Sequence, residues 1–232
     1  MPRTSAQLDQ TNEEIHVFYE PQNNNHGLKR DPWKALVVPR PIGWISSISK
    51  DGVCNLAPYS FFNAMSSHPH YVLFGSGGRK DSVRNIEETG EFVCSLATWD
   101  LRYHMNTTSA EVPQGVDEFQ LAGLTAAPSR LVRPPRVKES PVALECKYWK
   151  TIELPHEDGS GSGHFVVFGR VVGIYIDDRF IKDGLVDTAA MRPIARLGYM
   201  DYSVVTPETL FTIFRPKVDE EGNVIDVPRA AE

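Results

Sequence analysis

The chain has 232 residues, 24 Lys+Arg against 30 Asp+Glu for a net charge of -6, 41% apolar and 23% charged residues. That length and apolar content suit a globular protein with a substantial core and exclude a disordered, low-hydrophobicity chain. The mild acidity excludes duplex nucleic acid as the main partner, because such binding needs clustered cations, yet it leaves room for a local phosphate site. No apolar run is long enough to cross a bilayer, the longest being stretches such as Phe165-Val166-Val167-Phe168.

In chain order, residues 1–25 are expected to form a polar N-terminal arm that packs, if at all, through Val17, Phe18 and Tyr19; they lack the basic start and apolar run of a secretory signal. Residues 42–49 are rich in β-formers, Lys50-Asp51-Gly52 is a turn, and 53–57 resume the pattern, which predicts a first hairpin. Further strands are predicted at 62–66, 71–75 and 92–97. A short helix lies between the last two, with Asp81 or Ser82 as its N-cap and Gly90 at its end. A second helix is expected to begin at 101–103. From 111 to 135, repeated Pro and Gly suggest an ordered surface excursion without regular elements.

Residues 142–154 and 165–176 read as long strands, joined by a Gly/Ser-rich segment, 155–164, of flexible composition. A polar C-terminal tail spans 216–232. No linker divides the intervening 26–215, which is expected to be one domain. Six or more strands joined by hairpins and short helices imply a mainly β fold with an antiparallel, closed or partly closed sheet.

Several chemical motifs fail on spacing. In Gly75-Ser76-Gly77-Gly78-Arg79-Lys80-Asp81-Ser82 the Lys does not directly follow a Gly, so this is no P-loop. The glycines from Gly159 to Gly163 precede no helix, which removes a Rossmann fingerprint, and a nucleophile elbow is missing. His68 and His70 flank Pro69 without a convincing third ligand, so they are read as turn histidines and no metal is expected. Cys54, Cys94 and Cys146 are odd in number and widely spaced, as buried thiols of a reducing cytoplasm would be.

Two groups of residues suit a ligand. The stretch from Asn55 to Ser67 brings small polar side chains, aromatic rings and a proline bend together, suited to the edge of a flat heteroaromatic molecule, with Tyr59 or Phe61 giving apolar contact. Ser46 and Ser47, with Lys80 and Ser82 at a helix start, are the groups that hold a phosphate.

Taken together, the chain resembles the flavin reductase-like family of FMN-binding split-barrel proteins. The resemblance rests on Arg40-Pro41-Ile42-Gly43-Trp44-Ile45-Ser46-Ser47, Asn55-Leu56-Ala57-Pro58-Tyr59-Ser60-Phe61-Phe62-Asn63, Lys80-Asp81-Ser82, Gly115-Val116-Asp117-Glu118-Phe119 and Ser140-Pro141-Val142-Ala143-Leu144-Glu145-Cys146, in order over 26–200. It implies a six-stranded Greek-key split β-barrel, a homodimer and FMN near the dimer interface. Ser46, Ser47, Pro58, Tyr59, Ser60, Phe61 and Asn63 would face the flavin, with Lys80 and Ser82 near its phosphate or ribityl chain. His164 matches a histidine beside the flavin and nicotinamide, with Ser162-Gly163 where the family often carries Gly-Asp. Arg196-Leu197-Gly198 matches a late block in which Tyr199 replaces a common second Gly.

The activity so implied is NAD(P)H:flavin oxidoreduction, with hydride passing to flavin N5 and with a partner monooxygenase or electron-transfer protein. The alternatives are a flavoredoxin-like FMN electron carrier and a non-catalytic ligand-binding barrel.

Overall fold

The computed structural model describes residues 17–226. Its main body is one seven-stranded antiparallel sheet built from β1 (Gly43–Ile48), β2 (Cys54–Tyr59), β3 (Phe62–Ser67), β4 (His70–Gly77), β5 (Glu91–Leu96), β6 (Val142–Pro155) and β7 (Gly161–Ile176). The order across the sheet is β2-β1-β5-β6-β7-β4-β3. β2 and β3 are therefore opposite edges, yet only Ser60 and Phe61 separate them in the chain. So short a connection forces the edges together, and the sheet curls into a barrel split at this corner, where the Gly75 N–H donates to the Phe61 carbonyl at 2.7 Å. These seven strands are the seven segments expected from the residues, one more than the six-stranded barrel that the resemblance implies.

Alternation along β1 explains its two-sided burial. Ile45 points into a core with Val72, Phe74, Phe92, Cys94, Cys146 and Val167, closed by Val83 and Ile86 of helix α1 (Asp81–Thr89). Trp44 points the other way, into a second core with Leu56, Phe119 and Val137, and with Met105 from helix α2 (Arg102–Thr107). Gly43 is required by contact: a Cβ there would lie 2.4 Å from the Phe62 ring. A smaller sheet joins Arg40–Pro41 to β8 (Ile194–Arg196) and then β9 (Tyr202–Val204). It is tied to the end of β5 by a Thr98–Pro193 bridge.

The structure corrects several expectations. α1 is N-capped by Lys80, without a side-chain cap bond, rather than by Asp81 or Ser82, although Gly90 does end it in the left-handed region at φ 75°. The excursion contains a helical turn, Glu118–Leu121, capped by the Asp117 carboxylate and burying Phe119. Half of the segment expected to be flexible is strand: β6 runs to Pro155 and β7 starts at Gly161, so His164 is strand-borne. In the C-terminal tail, Lys217–Val218 pairs with Val224–Asp226 as a short ribbon.

In the N-terminal arm, residues 1–16 lie outside the described residues. Of the three residues expected to pack, Val17 and Phe18 are exposed, and Tyr19 meets His26 edge-on at 5.2 Å. Among the described residues no helix is long and apolar enough to cross a membrane.

Candidate functional site

Helix α1 begins where β2 passes, and the two elements wall a cavity of about 320 Å³. Pro58 and Tyr59 form one side, and Lys80, Asp81 and Ser82 the helix start. Segment 108–114 and Glu118 complete it. The first turn of a helix leaves its N–H groups without intrahelical acceptors, and a cap with no side-chain bond keeps them available. With the helix dipole and the Lys80 ammonium, this end of the cavity suits an anion.

The acidic neighbours are managed. Asp81 is paired with Arg84. Glu118 is only 6% exposed and accepts the Leu56 N–H at 2.9 Å. Burial pushes the Glu118 carboxyl up, opposed by its backbone hydrogen bonds and assisted by Asp81 and Asp117. Burial likewise pushes the Tyr59 phenol up, against hydrogen bonds to Ser82 and Ser76, so it remains a neutral donor. The Tyr59 ring rests on Phe74, centroids 4.6 Å apart, and Ser82 Oγ accepts from Asn55 Nδ2 at 2.9 Å.

Four of the residues singled out in the sequence, Pro58, Tyr59, Lys80 and Ser82, thus meet at one cavity. Most of the others are placed elsewhere. Ser46 and Ser47 are fully buried; Ser46 Oγ donates to the Pro135 carbonyl and Ser47 Oγ accepts from Asn85 Nδ2 at 3.3 Å. Adjacent residues on a strand face opposite sides, so the pair cannot share one ligand group. Ser60 Oγ accepts from Arg40 Nε at 3.4 Å. Phe61 lies under that guanidinium, 5.8 Å from ring centroid to carbon, and is exposed, as is Asn63. His164 pairs across the sheet with Gly77, its Nδ1 3.2 Å from the Ser162 carbonyl, and does not line the cavity. Arg196 is held by the Tyr202 hydroxyl at 2.5 Å and by the Tyr199 carbonyl. Tyr199, standing where Gly is common, adopts φ 51°, the left-handed conformation that favours Gly.

Sequence reasoning missed Arg40, Glu118 and segment 108–114, whereas Asn55 opened the stretch read as suited to a ligand and does line the cavity. Arg40, 5% exposed, donates to the Val37 carbonyl at 2.7 Å, the Leu197 carbonyl at 2.9 Å and the Lys34 carbonyl, a structural clamp over the barrel corner. Burial, then Arg196, lowers its pKa. Glu118 lay within a quoted motif and had a signal; segment 108–114 had none. The turn histidines stack at 5.3 Å on the β3–β4 connection, and Cys94 and Cys146 are buried free thiols, with Cys54 half-buried.

An antiparallel split barrel with an anion-suited helix start beside an aromatic wall defines a class of small-ligand-binding β proteins. Comparison with known proteins makes that class specific: residues 35–195 match the model of the flavin reductase like domain, and the chain belongs to that family. It is 41% identical over 169 residues to an uncharacterized protein of Aquifex aeolicus, covering 70% of this chain and 83% of that one. Among solved structures it is similar to nitrilotriacetate monooxygenase component B from Bacillus cereus, with TM-score 0.75 and 29% identity over 87% of this chain and 98% of that one. It is also similar to 2-nitrobenzoate 2-nitroreductase of Pseudomonas fluorescens, with TM-score 0.69 and 29% identity over 81% and 92% of the two chains.

Proposed function

We propose that this protein is an FMN-dependent oxidoreductase that takes electrons from NAD(P)H. The observation that carries the reading is the cavity at the start of α1, where a helix N-terminus and Lys80 adjoin Pro58 and Tyr59 in a chain of the flavin reductase-like family. The donor set fits FMN: Lys80, the free N–H groups of the first turn and Ser82 would hold the phosphate, and Pro58 and Tyr59 would border the ring. When bound, FMN would supply the hydride-accepting redox chemistry.

The protein's own part is to bind, orient and exclude water. Glu118, which accepts the Leu56 N–H, fixes β2 against the cavity wall. Ser46 and Ser47 brace β1 from its two sides and belong to the frame, not to the ligand. Phe61, Ser60 and Arg196 surround the Arg40 corner, away from the cavity at the start of α1.

A homodimer is part of the proposal. Tyr71, Trp149 and Phe168 form a ladder of edge-on rings, 5.6 Å between successive centroids, across β4, β6 and β7, and Trp149 is 59% exposed. With Trp149 exposed over the half-buried Tyr71 and Phe168, this strip suits contact with a second copy. We further propose a cytoplasmic location, consistent with three free thiols, and a monooxygenase partner, by similarity to component B.

The place of His164 favours one second reading. It stands outside the cavity and after Ser162-Gly163, so FMN would serve as a flavoredoxin-like electron carrier reduced by a protein. Anaerobic mixing of the FMN-loaded protein with NADH and with NADPH separates the two. The reductase reading predicts bleaching of the visible flavin band by at least one of them; bleaching by neither, with dithionite still effective, contradicts it and leaves the carrier.

A further inference from the structure

Helix α2 has the cofactor cavity beyond its C-terminal end and a second opening along its flank. The second is a cleft of about 470 Å³ between α2 and the β8–β9 pair, and it shares no lining residue with the first. Met105, Ile194 and Val204 line it from the core, while Trp99, Tyr103 and Tyr202 give it aromatic walls. Its closed end is fixed by backbone hydrogen bonds from Trp99 to the Arg192 carbonyl, 2.9 Å, and from Ile194 to the Ala97 carbonyl, 3.0 Å. The cleft is thus pre-formed, and its volume falls within the usual range for small-molecule sites.

Its electrostatics are one-sided. The Arg102 guanidinium carbon lies 3.9 Å from the Trp99 ring centroid and 4.5 Å from that of Tyr103. A single hydrogen bond, to the Trp99 carbonyl at 2.6 Å, leaves other N–H groups of its planar fork available. Arg192 lies 5.4 Å from the Trp99 centroid and Arg196 4.6 Å from that of Tyr202, adding positive charge at both walls. Asp100 is 3.5 Å from Arg192 at the surface, and no described residue lining the cleft carries a carboxylate.

Flat rings with a guanidinium between them select two properties in one ligand: a planar apolar body to stack and an anionic planar group to meet the fork. A neutral aromatic leaves Arg102 unused, and an aliphatic acid leaves the walls unused. We propose that the α2/β8–β9 cleft is a binding site for a planar aromatic carboxylate, separate from the cofactor cavity. The proposal does not depend on the FMN reading.

Calorimetric titration of the purified full-length protein with 2-naphthoate tests it, with 2-naphthylmethanol and cyclohexanecarboxylate as probes lacking the charge or the flat ring. Saturable binding of one 2-naphthoate per chain is expected, with 2-naphthylmethanol weaker by about tenfold or more, the usual worth of a charged hydrogen bond, and cyclohexanecarboxylate weaker by several-fold, about the worth of lost aromatic stacking. Arg102→Gln should weaken 2-naphthoate binding by a similar factor without altering the binding of 2-naphthylmethanol. Val204→Trp, which fills the cleft, should abolish binding; should it fail to fold, Tyr103→Ala, at a side chain 71% exposed, should weaken binding several-fold with no change in melting temperature. The proposal is overturned by the absence of saturable binding, by equal affinity for the alcohol, by an unchanged Arg102→Gln, or by displacement of 2-naphthoate on adding FMN. Sedimentation showing that Val204→Trp dissociates a dimer would also overturn it, since the cleft would then be covered by a second copy.

Discussion

Strand β1 and the start of helix α1 lie against each other, and both carry hydroxyls of the kind that bind phosphate, yet they differ in what surrounds them. On β1, Ser46 and Ser47 are sealed between two cores and bonded to Pro135 and Asn85. At the helix start, Ser82 is also buried and accepts from Asn55, but it and Lys80 border a cavity, and the first-turn N–H groups have no side-chain cap. A distinctive sequence block can therefore serve the frame, while the ligand end lies where a chain direction changes and backbone donors are left over.

Substitutions can break or sharpen this contrast. The largest effect is expected at the frame. Arg40→Met would strand the carbonyls of Lys34, Val37 and Leu197 and should cost about 3 kcal/mol or more, read as a fall in denaturant midpoint with no site-specific loss of FMN affinity. Gly43→Ala puts a methyl against the Phe62 ring and should cost roughly 1–3 kcal/mol. A melting temperature equal to that of the wild type would contradict the packing. Ser46→Ala and Ser47→Ala should each cost about 1 kcal/mol and leave FMN affinity unchanged; a selective loss of FMN by either would return the serines to the ligand.

The smallest effect depends on pH. Glu118 has its folded pKa raised by burial, so its contribution to stability is present in acid and lost as pH rises through that value. Glu118→Gln keeps an acceptor for the Leu56 N–H. Its stability should match the wild type at acid pH and gain on it as pH increases, and parallel pH-stability curves would contradict the buried-carboxyl account.

Much of the frame was legible because its signals are local. Apolar runs bounded by Gly, Pro and turn residues marked the strands, and Gly90 marked the end of α1. The barrel closure was not legible from any strand alone; it follows from Ser60-Phe61 being too short to join edges of an open sheet. The N-cap was misread because Ser82, a good capping residue, instead accepts from Asn55, leaving Lys80 at the boundary. The turn Glu118–Leu121 is too short to show a helical period, although the Asp117 cap was present. At the site, the helix start and the Pro58-Tyr59 wall were readable from residue types. Segment 108–114 was not, since Thr108 is fixed from afar by the Trp44 indole N–H at 2.9 Å.

The central claim is that the opening at the start of α1 holds FMN through its phosphate. Titration of FMN into the wild-type protein and Lys80→Ala, followed by flavin fluorescence, tests it most directly. The account predicts saturable binding by the wild type and a loss of roughly tenfold or more in affinity for Lys80→Ala, the worth of one charged hydrogen bond, at unchanged melting temperature of the FMN-free proteins. Equal affinities, or no saturable binding by the wild type, would contradict it.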